Sequence, residues 1–277
     1  MPSKQPHKYG KGAGRRFVRR RPAAAQTAWD SFGKWYNKLV GEDGHYYHKN
    51  VILPGVMRLM APQAGTAWLD LGCGQGIVSR GLPEGVTYWG IDAAPKLIAA
   101  AKQLNERPDT NFHCADASKK LGISKRDFDY GSVILAMENI ENADGVIALL
   151  SQHLKPGARL ILVLNHPCFR IPRQSSWETD EENKIRYRRL NRYLSPLSIP
   201  MQVHPGRGEQ SPVMWAFHRP LSYYFGALAK NGFNVLNVEE WVSDKESKGK
   251  AARMENRARA EFPLFLALLA ERRPLLH

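Results

Sequence analysis

The sequence predicts an α/β fold built on a doubly wound, mainly parallel sheet, and three observations predict it. Short apolar runs alternate with amphipathic stretches from Ala67 onward, one run breaks into alternate glycines in "AWLDLGCGQG", and acids recur where successive runs end. Alternating strands and helices imply a parallel sheet covered on both faces.

In order, "AWLDL" (67–71), "VTYWGI" (86–91), "TNFHC" (110–114), "YGSVILAM" (130–137) and "ARLILVLN" (158–165) read as strands. Between them "PKLIAAAKQL" (95–104) and "DGVIALLSQHL" (144–154) carry apolar residues at helical spacing. Later, "LSYYFGALAKNG" reads as a helix with Gly232 as its C-cap, and "FNVLNVEEWV" and "PLFLALLAER" as two further strands. Ahead of Ala67, "AAAQTAWDSFGKWYNKLV" and "HKNVILPGVMRLM" suggest N-terminal helices over 23–62, the second broken by Pro54. Residues 166–219 stand outside the alternation. So long a connection, starting at the carboxyl end of a strand where open α/β sheets bind ligands, reads as a substrate cap.

The 277 residues, 43% of them hydrophobic, are enough for a sizeable core. No apolar run reaches the roughly 18 residues needed to cross a bilayer, and no apolar segment follows the N-terminal charges as in a secretion signal. Three cysteines, Cys73, Cys114 and Cys168, form no C-x-x-C pair and suit a reducing, cytoplasmic setting. No metal site is expected. The formal charge is +14, of which residues 1–22 hold +8 with no acid. That glycine-rich tail has no apolar period to dock on a core, and reads either as a solvated arm or as an arm that binds RNA or a ribonucleoprotein.

The glycine turn raises the question of which nucleotide it serves. Its spacing is G-x-G-x-G, at Gly72, Gly74 and Gly76, whereas a dinucleotide motif reads G-x-G-x-x-G and seats a pyrophosphate on the following helix. Asp70 stands two residues before the turn, where a pyrophosphate would meet a carboxylate at close range and a sulfonium bearing an ammonium group would be attracted. Cys73 and Gln75 fill the positions between the glycines. Asp92, beside Ala93, can accept both hydroxyls of a ribose, and Asp116, with the amide of Ala117, can pair with an adenine. One acid after a strand is commonly a helix cap; three at successive strand ends suggest a ligand.

As a set, "LDLGCGQG", "GIDAAPKLI", "ADA" and "LKPGARLILV" resemble the class I S-adenosylmethionine-dependent methyltransferases, in particular the "type 11" group, most strongly over residues 64–166. The resemblance implies a Rossmann-like, seven-stranded sheet with an antiparallel last strand, formed by residues 23–277. It also implies S-adenosyl-L-methionine as cofactor, with contacts at Asp70, Gly72, Gly74, Asp92 and Asp116.

Methyl transfer from a sulfonium needs in-line alignment and exclusion of water, and a base only when the nucleophile arrives protonated. On the acceptor side Glu138, Asn139 and Asn165 stand at the fourth and fifth strand ends. His166 is the first candidate base and His218 the second, each with a capping role as the alternative. Tyr36, Tyr46 and Tyr47 could offer ring faces to the sulfonium. The place after the fourth strand reads "MENI", unlike the N-P-P-F or D-P-P-Y tetrads of enzymes that methylate exocyclic amino groups. Cys168 stands after the fifth strand, not the fourth, and reads as a small buried residue rather than a nucleophile.

The leading expectation is a methyltransferase acting on oxygen, nitrogen or carboxylate of a small molecule under the cap. A second is an enzyme for RNA or a ribonucleoprotein, using the tail and a cap of net charge +4. A third is a non-catalytic module that binds an adenosine ligand.

Overall fold

The computed structural model describes residues 45–202, 211 and 213–274. The basic segment 1–22, Tyr36 and the first half of the expected N-terminal helices lie outside the described residues.

Seven strands form one sheet: β1 (Ala67–Leu71), β2 (Thr87–Asp92), β3 (Thr110–Cys114), β4 (Phe128–Ile134), β5 (Leu154–Asn165), β10 (Phe233–Trp241) and β11 (Phe265–Arg272). Their order is β10-β11-β5-β4-β1-β2-β3. All pairs are parallel except those of β11, which runs antiparallel to both β5 and β10. The expected sheet with its antiparallel last strand is therefore the observed one. β1 is buried at every position, as expected of a central parallel strand covered on both faces.

Two cores lie on the two faces. Leu69 and Leu71 of β1 pack with α4 (Ala143–His153) and α5 (Leu221–Lys230) on one face. Trp68 packs with α1 (Leu53–Met60), α2 (Ile77–Gly81) and α3 (Pro95–Leu104) on the other. Two helix ends are chemically prepared. The Asn142 side chain accepts from Gly145 N at 3.0 Å to cap α4, and Gly232, at φ +80°, follows the Asn231 cap of α5.

Pro54 does not break its segment. It lies in the first turn of α1, directly after a π-helical stretch, His48–Ile52, closed by Leu53 N donating to His48 O. Proline lacks the N–H that would bond one turn back, and the backbone ahead of it widens instead.

The 166–219 connection is more regular than its sequence suggests, because it folds into two antiparallel hairpins. β6 (Ser175–Asp180) pairs with β7 (Ile185–Leu190), and β8 (Leu197–Gln202) pairs with β9 (Val213–His218). A further helix, α6 (Ala252–Glu261), lies between β10 and β11. Its Glu255 meets Arg186 of β7 at 3.2 Å.

Candidate functional site

The glycine turn follows β1 at the carboxyl end of the sheet. Gly72 N and Cys73 N both donate to Ile91 O, at 2.8 and 3.0 Å, folding the turn back onto β2. Gly72 and Gly76 have φ of +75° and +73°, in the left-handed region that a side chain disfavours. There is also no room: a Cβ on Gly72 would overlap the Ala136 side chain, and one on Gly76 would lie 2.7 Å from the Phe112 ring. Cys73 is buried with its Sγ against Gly90.

Asp92 fastens this turn. Its Oδ2 accepts from Gly74 N and its Oδ1 from Ala94 N, both at 2.9 Å. Burial pushes its carboxyl above the ordinary value, against the lowering effect of the Ala94, Gly74 and Ala93 amides.

Asp70 is 2% exposed and sits behind the turn. Ser132 Oγ donates to its Oδ1 and Tyr88 OH to its Oδ2, both at 2.6 Å, while Trp68 Nε1 donates to Ser132 Oγ at 2.7 Å. The carboxylate thereby bridges β1, β4 and β2. Burial pushes its pKa up to about 6, with the Ser132 and Tyr88 hydroxyls and the nearby Asp92 as smaller influences. Sequence reasoning missed Tyr88 and Ser132; the one available signal was a serine and a tyrosine inside otherwise apolar core strands.

Asp116 is turned to its own loop. Ser118 bonds its Oδ1 through the hydroxyl at 2.7 Å and the amide at 2.9 Å, and Lys119 Nζ lies 3.0 Å from Oδ2. Partial burial works to raise this carboxyl, but the Ser118 and Lys119 contacts outweigh it and hold it below its ordinary value. Ala117 beside it is buried.

At the ends of β4 and β5, Glu138 Oε1 accepts from Asn165 N at 3.3 Å and from Asn165 Nδ2. Its Oε2 is shut off from solvent and meets no donor among the described residues. Burial raises this carboxyl, opposed by its own amide, Asn165 and Arg170. Asn139 instead turns back to its own loop, donating to Leu135 O at 3.3 Å.

His166 is placed differently from the expected base. It is fully buried; its Nδ1 accepts from Cys168 N at 3.2 Å and its Nε2 lies 2.6 Å from Glu240 Oε1 of β10. With Nδ1 accepting, the proton belongs on Nε2 and is donated to Glu240. Burial holds the imidazole below its ordinary pKa, against the opposing influence of Glu240. Nε2 ties the end of β5 to β10 and Nδ1 closes the turn at Cys168, so both nitrogens are committed within the protein. His218 is likewise buried and donates through Nε2 to Tyr193 O at 2.7 Å.

The cap is fixed to the same end of the sheet. Arg219 is 7% exposed and donates to Met137 O at 3.3 Å, Ile140 O at 2.8 Å and Glu141 O at 2.6 Å, the carbonyls around the Glu138 turn. The Phe217 and Tyr223 rings pack against its guanidinium at 5.7 and 5.2 Å. Arg219→Met is expected to lower stability by about 3 kcal/mol, since bonds to a charged donor contribute about 1.5–3 kcal/mol each and the freed carbonyls are only partly rehydrated. Denaturant unfolding of the two proteins checks this; equal midpoints would show that the cap contributes nothing to holding the turn.

A surface depression lined by Gln63, Asp129, Lys155 and Arg159 opens at the opposite, amino end of β4 and contains none of these residues. Among the described residues no three His, Cys, Asp or Glu side chains are placed to hold a metal ion, and no helix is long and apolar enough to cross a membrane.

Residues 69–162 match a family model described as a methyltransferase domain. The fold is similar to the crystal structure of an S-adenosylmethionine dependent methyltransferase from Mesorhizobium loti, 25% identical, at a TM-score of 0.63 over 84% of this chain and 100% of that one. Among curated relatives, a demethylmenaquinone methyltransferase of Tropheryma whipplei is 27% identical over 112 residues, 40% of this chain and 46% of that protein. A ubiquinone biosynthesis O-methyltransferase of Xanthomonas euvesicatoria is 24% identical over 143 residues, 50% of this chain and 60% of that protein. The chain thus spans about half the length of the curated relatives it matches.

Proposed function

The chain belongs to the class I S-adenosylmethionine-dependent methyltransferases, and on that premise we propose that it methylates an oxygen, nitrogen or carboxylate of a small molecule held between the sheet's carboxyl end and the 166–219 cap. The observation that carries this reading is the pairing of two features at one place. A glycine turn backed by two carboxylates suits a cation and repels a pyrophosphate, and the cap is anchored by Arg219 onto the loop that carries Glu138. The two named curated relatives, a demethylmenaquinone methyltransferase and a ubiquinone biosynthesis O-methyltransferase, bear the names of small-molecule chemistry and favour the same acceptor class.

The donor supplies an electrophilic methyl carbon. Asp92 holds the ribose end through the lone pairs left after Gly74 and Ala94 have bonded it. Asp70, with almost no accessible surface, acts through its field from behind the turn. Asp116 offers the adenine end one carboxylate already bonded to Ser118, so the backbone amide of Ala117 is the stronger contact there.

An RNA acceptor finds less support. The cap's basic run turns partly inward: the Arg186 and Arg188 guanidinium groups both pack on Trp177 at 4.9 Å, and Arg188 donates to Phe169 O at 2.9 and 2.7 Å. Arg189 lies 3.6 Å from Glu178 and Lys184 3.8 Å from Glu181. The 1–22 tail would have to supply most of the grip on phosphate. Isotopically labelled methyl donor incubated with cell extract, then split into RNA, protein and small-molecule fractions, tests the proposal. Label confined to RNA would overturn it.

Asp70 also gives a pH signature. Its carboxyl titrates near 6 in the fold against an ordinary 3.8, so the unliganded protein gains stability from this group as pH falls from about 6 toward 3.8. A bound cation favours the ionised form. Binding is therefore expected to release protons near pH 6 and to weaken as the pH falls below it, and Asp70→Asn is expected to abolish both effects. Calorimetry in two buffers of different ionisation enthalpy measures the release. An identical heat in both buffers would remove Asp70 from the donor site.

A further inference from the structure

The Glu138 carboxylate is a buried group left half-used. Asn165, from its backbone and its side chain, occupies Oε1, while Oε2 is closed to solvent and bonded to nothing among the described residues. Leaving a buried acceptor unmade is costly, and such a group needs an explanation. Its position supplies one. Glu138 stands two residues beyond Ala136, the residue against which Gly72 of the donor turn packs.

We infer that Glu138 is the acceptor-side base, its Oε2 receiving the hydrogen of an acceptor hydroxyl, so that the enzyme's acceptors are phenols or enols rather than amines or carboxylates. The inference rests on the methyltransferase reading and narrows it. Only a donor satisfies Oε2, which excludes an ionised carboxylate at that place. The charge facing Glu138 separates hydroxyls from amines. Arg170 interacts electrostatically with Glu138 and with Tyr47. Its guanidinium packs over the Phe265 ring at 5.4 Å and donates to Leu264 O at 3.4 Å. Arg170 favours an oxygen that gains negative charge as its proton leaves over an amine nitrogen that gains positive charge as its methyl arrives. Also near the carboxylate are Asn165 from β5 and Tyr224 from α5, whose phenol is driven up by burial and then by the Glu138 charge. The Arg219 guanidinium is there too, bonding the carbonyls on either side of Glu138 and acting on Tyr224. Burial also raises Glu138 itself, which suits a proton acceptor working near neutral pH. In the step, a lone pair of the acceptor oxygen forms the C–O bond, the C–S bond breaks with its electron pair left on sulfur, and the hydroxyl proton passes to Oε2, to be released to solvent once the methylated product has left.

The test uses the full chain, labelled S-adenosylmethionine and four probes: catechol, phenol, acetylacetone as a neutral enol, and benzylamine. Wild type should methylate at least one hydroxyl or enol probe and leave benzylamine untouched. Glu138→Gln should lower that turnover about 100-fold or more, the range of general-base catalysis, while S-adenosylhomocysteine affinity stays within about twofold of wild type. The acidic limb of the pH–rate profile should vanish in this variant and return in Glu138→Asp. Full turnover by Glu138→Gln would overturn the inference, as would a wild type that binds S-adenosylhomocysteine yet methylates only the amine or none of the four probes. A wild type that fails to bind S-adenosylhomocysteine would remove the methyltransferase proposal itself, and the inference with it.

Discussion

Asp92→Ala is expected to weaken S-adenosylmethionine and S-adenosylhomocysteine binding by about 100-fold or more. Two bonds between ribose hydroxyls and a carboxylate contribute about 1.5–3 kcal/mol each, and both vanish. A second loss adds to the first, because Gly74 N and Ala94 N donate to this same carboxylate at 2.9 Å and are left without it. The variant should therefore also unfold at lower temperature, with the turn the first part to loosen. Asp92→Asn separates the two contributions: its carbonyl can keep one amide bond but cannot accept on both sides. Calorimetry with both ligands, beside thermal unfolding, reads the result. Unchanged affinity in the alanine variant would mean that the carboxylate is a brace for the turn and nothing else.

Gly72→Val is expected to abolish ligand binding and to destabilise the fold by about 3 kcal/mol or more. Two independent penalties add here: a β-branched residue held at φ +75°, and a side chain driven into Ala136. Gly65 is the internal control. It has a similar φ of +81° but nothing within 4 Å of an added Cβ, so Gly65→Ala should cost only about 1 kcal/mol. Comparable losses at the two positions would show that conformation alone, and not the closeness of the β1 and β4 loops, makes Gly72 necessary.

The parts of this molecule legible in its sequence are those governed by one dominant interaction. "AWLDL" could be placed to the residue because every position in it is buried, and the glycine turn because few residues besides glycine tolerate its backbone. β6 and β7 were hidden because their burial comes from cationic side chains: Arg186 and Arg188 cover Trp177 with guanidinium groups, and no apolar alternation marks them. α6 was hidden because its only fully buried residue is Ala258. Among the candidate site residues, spacing put Asp70, Asp92 and His166 at the carboxyl ends of strands and Glu138 beyond β4, where it stands in the turn Met137–Asn139, yet it said nothing of their partners. Whether His166 meets an acceptor or Glu240 depends on β10, some 74 residues further along the chain.

The antiparallel strand β11 has a consequence for how the chain comes to be folded. It lies between β5 and β10 and pairs with both, so β10 is made before the strand that joins it to the rest of the sheet. On a ribosome, β5 emerges with "LILVL", all buried in the finished protein, and keeps one edge open until residues 265–272 arrive about a hundred positions later. Through that interval the nascent chain exposes an apolar strand edge of the kind that recruits other strands. Closure of the sheet is thus a late step of synthesis, and a protein interrupted before β11 would carry an intact glycine turn on an unfinished and adhesive sheet.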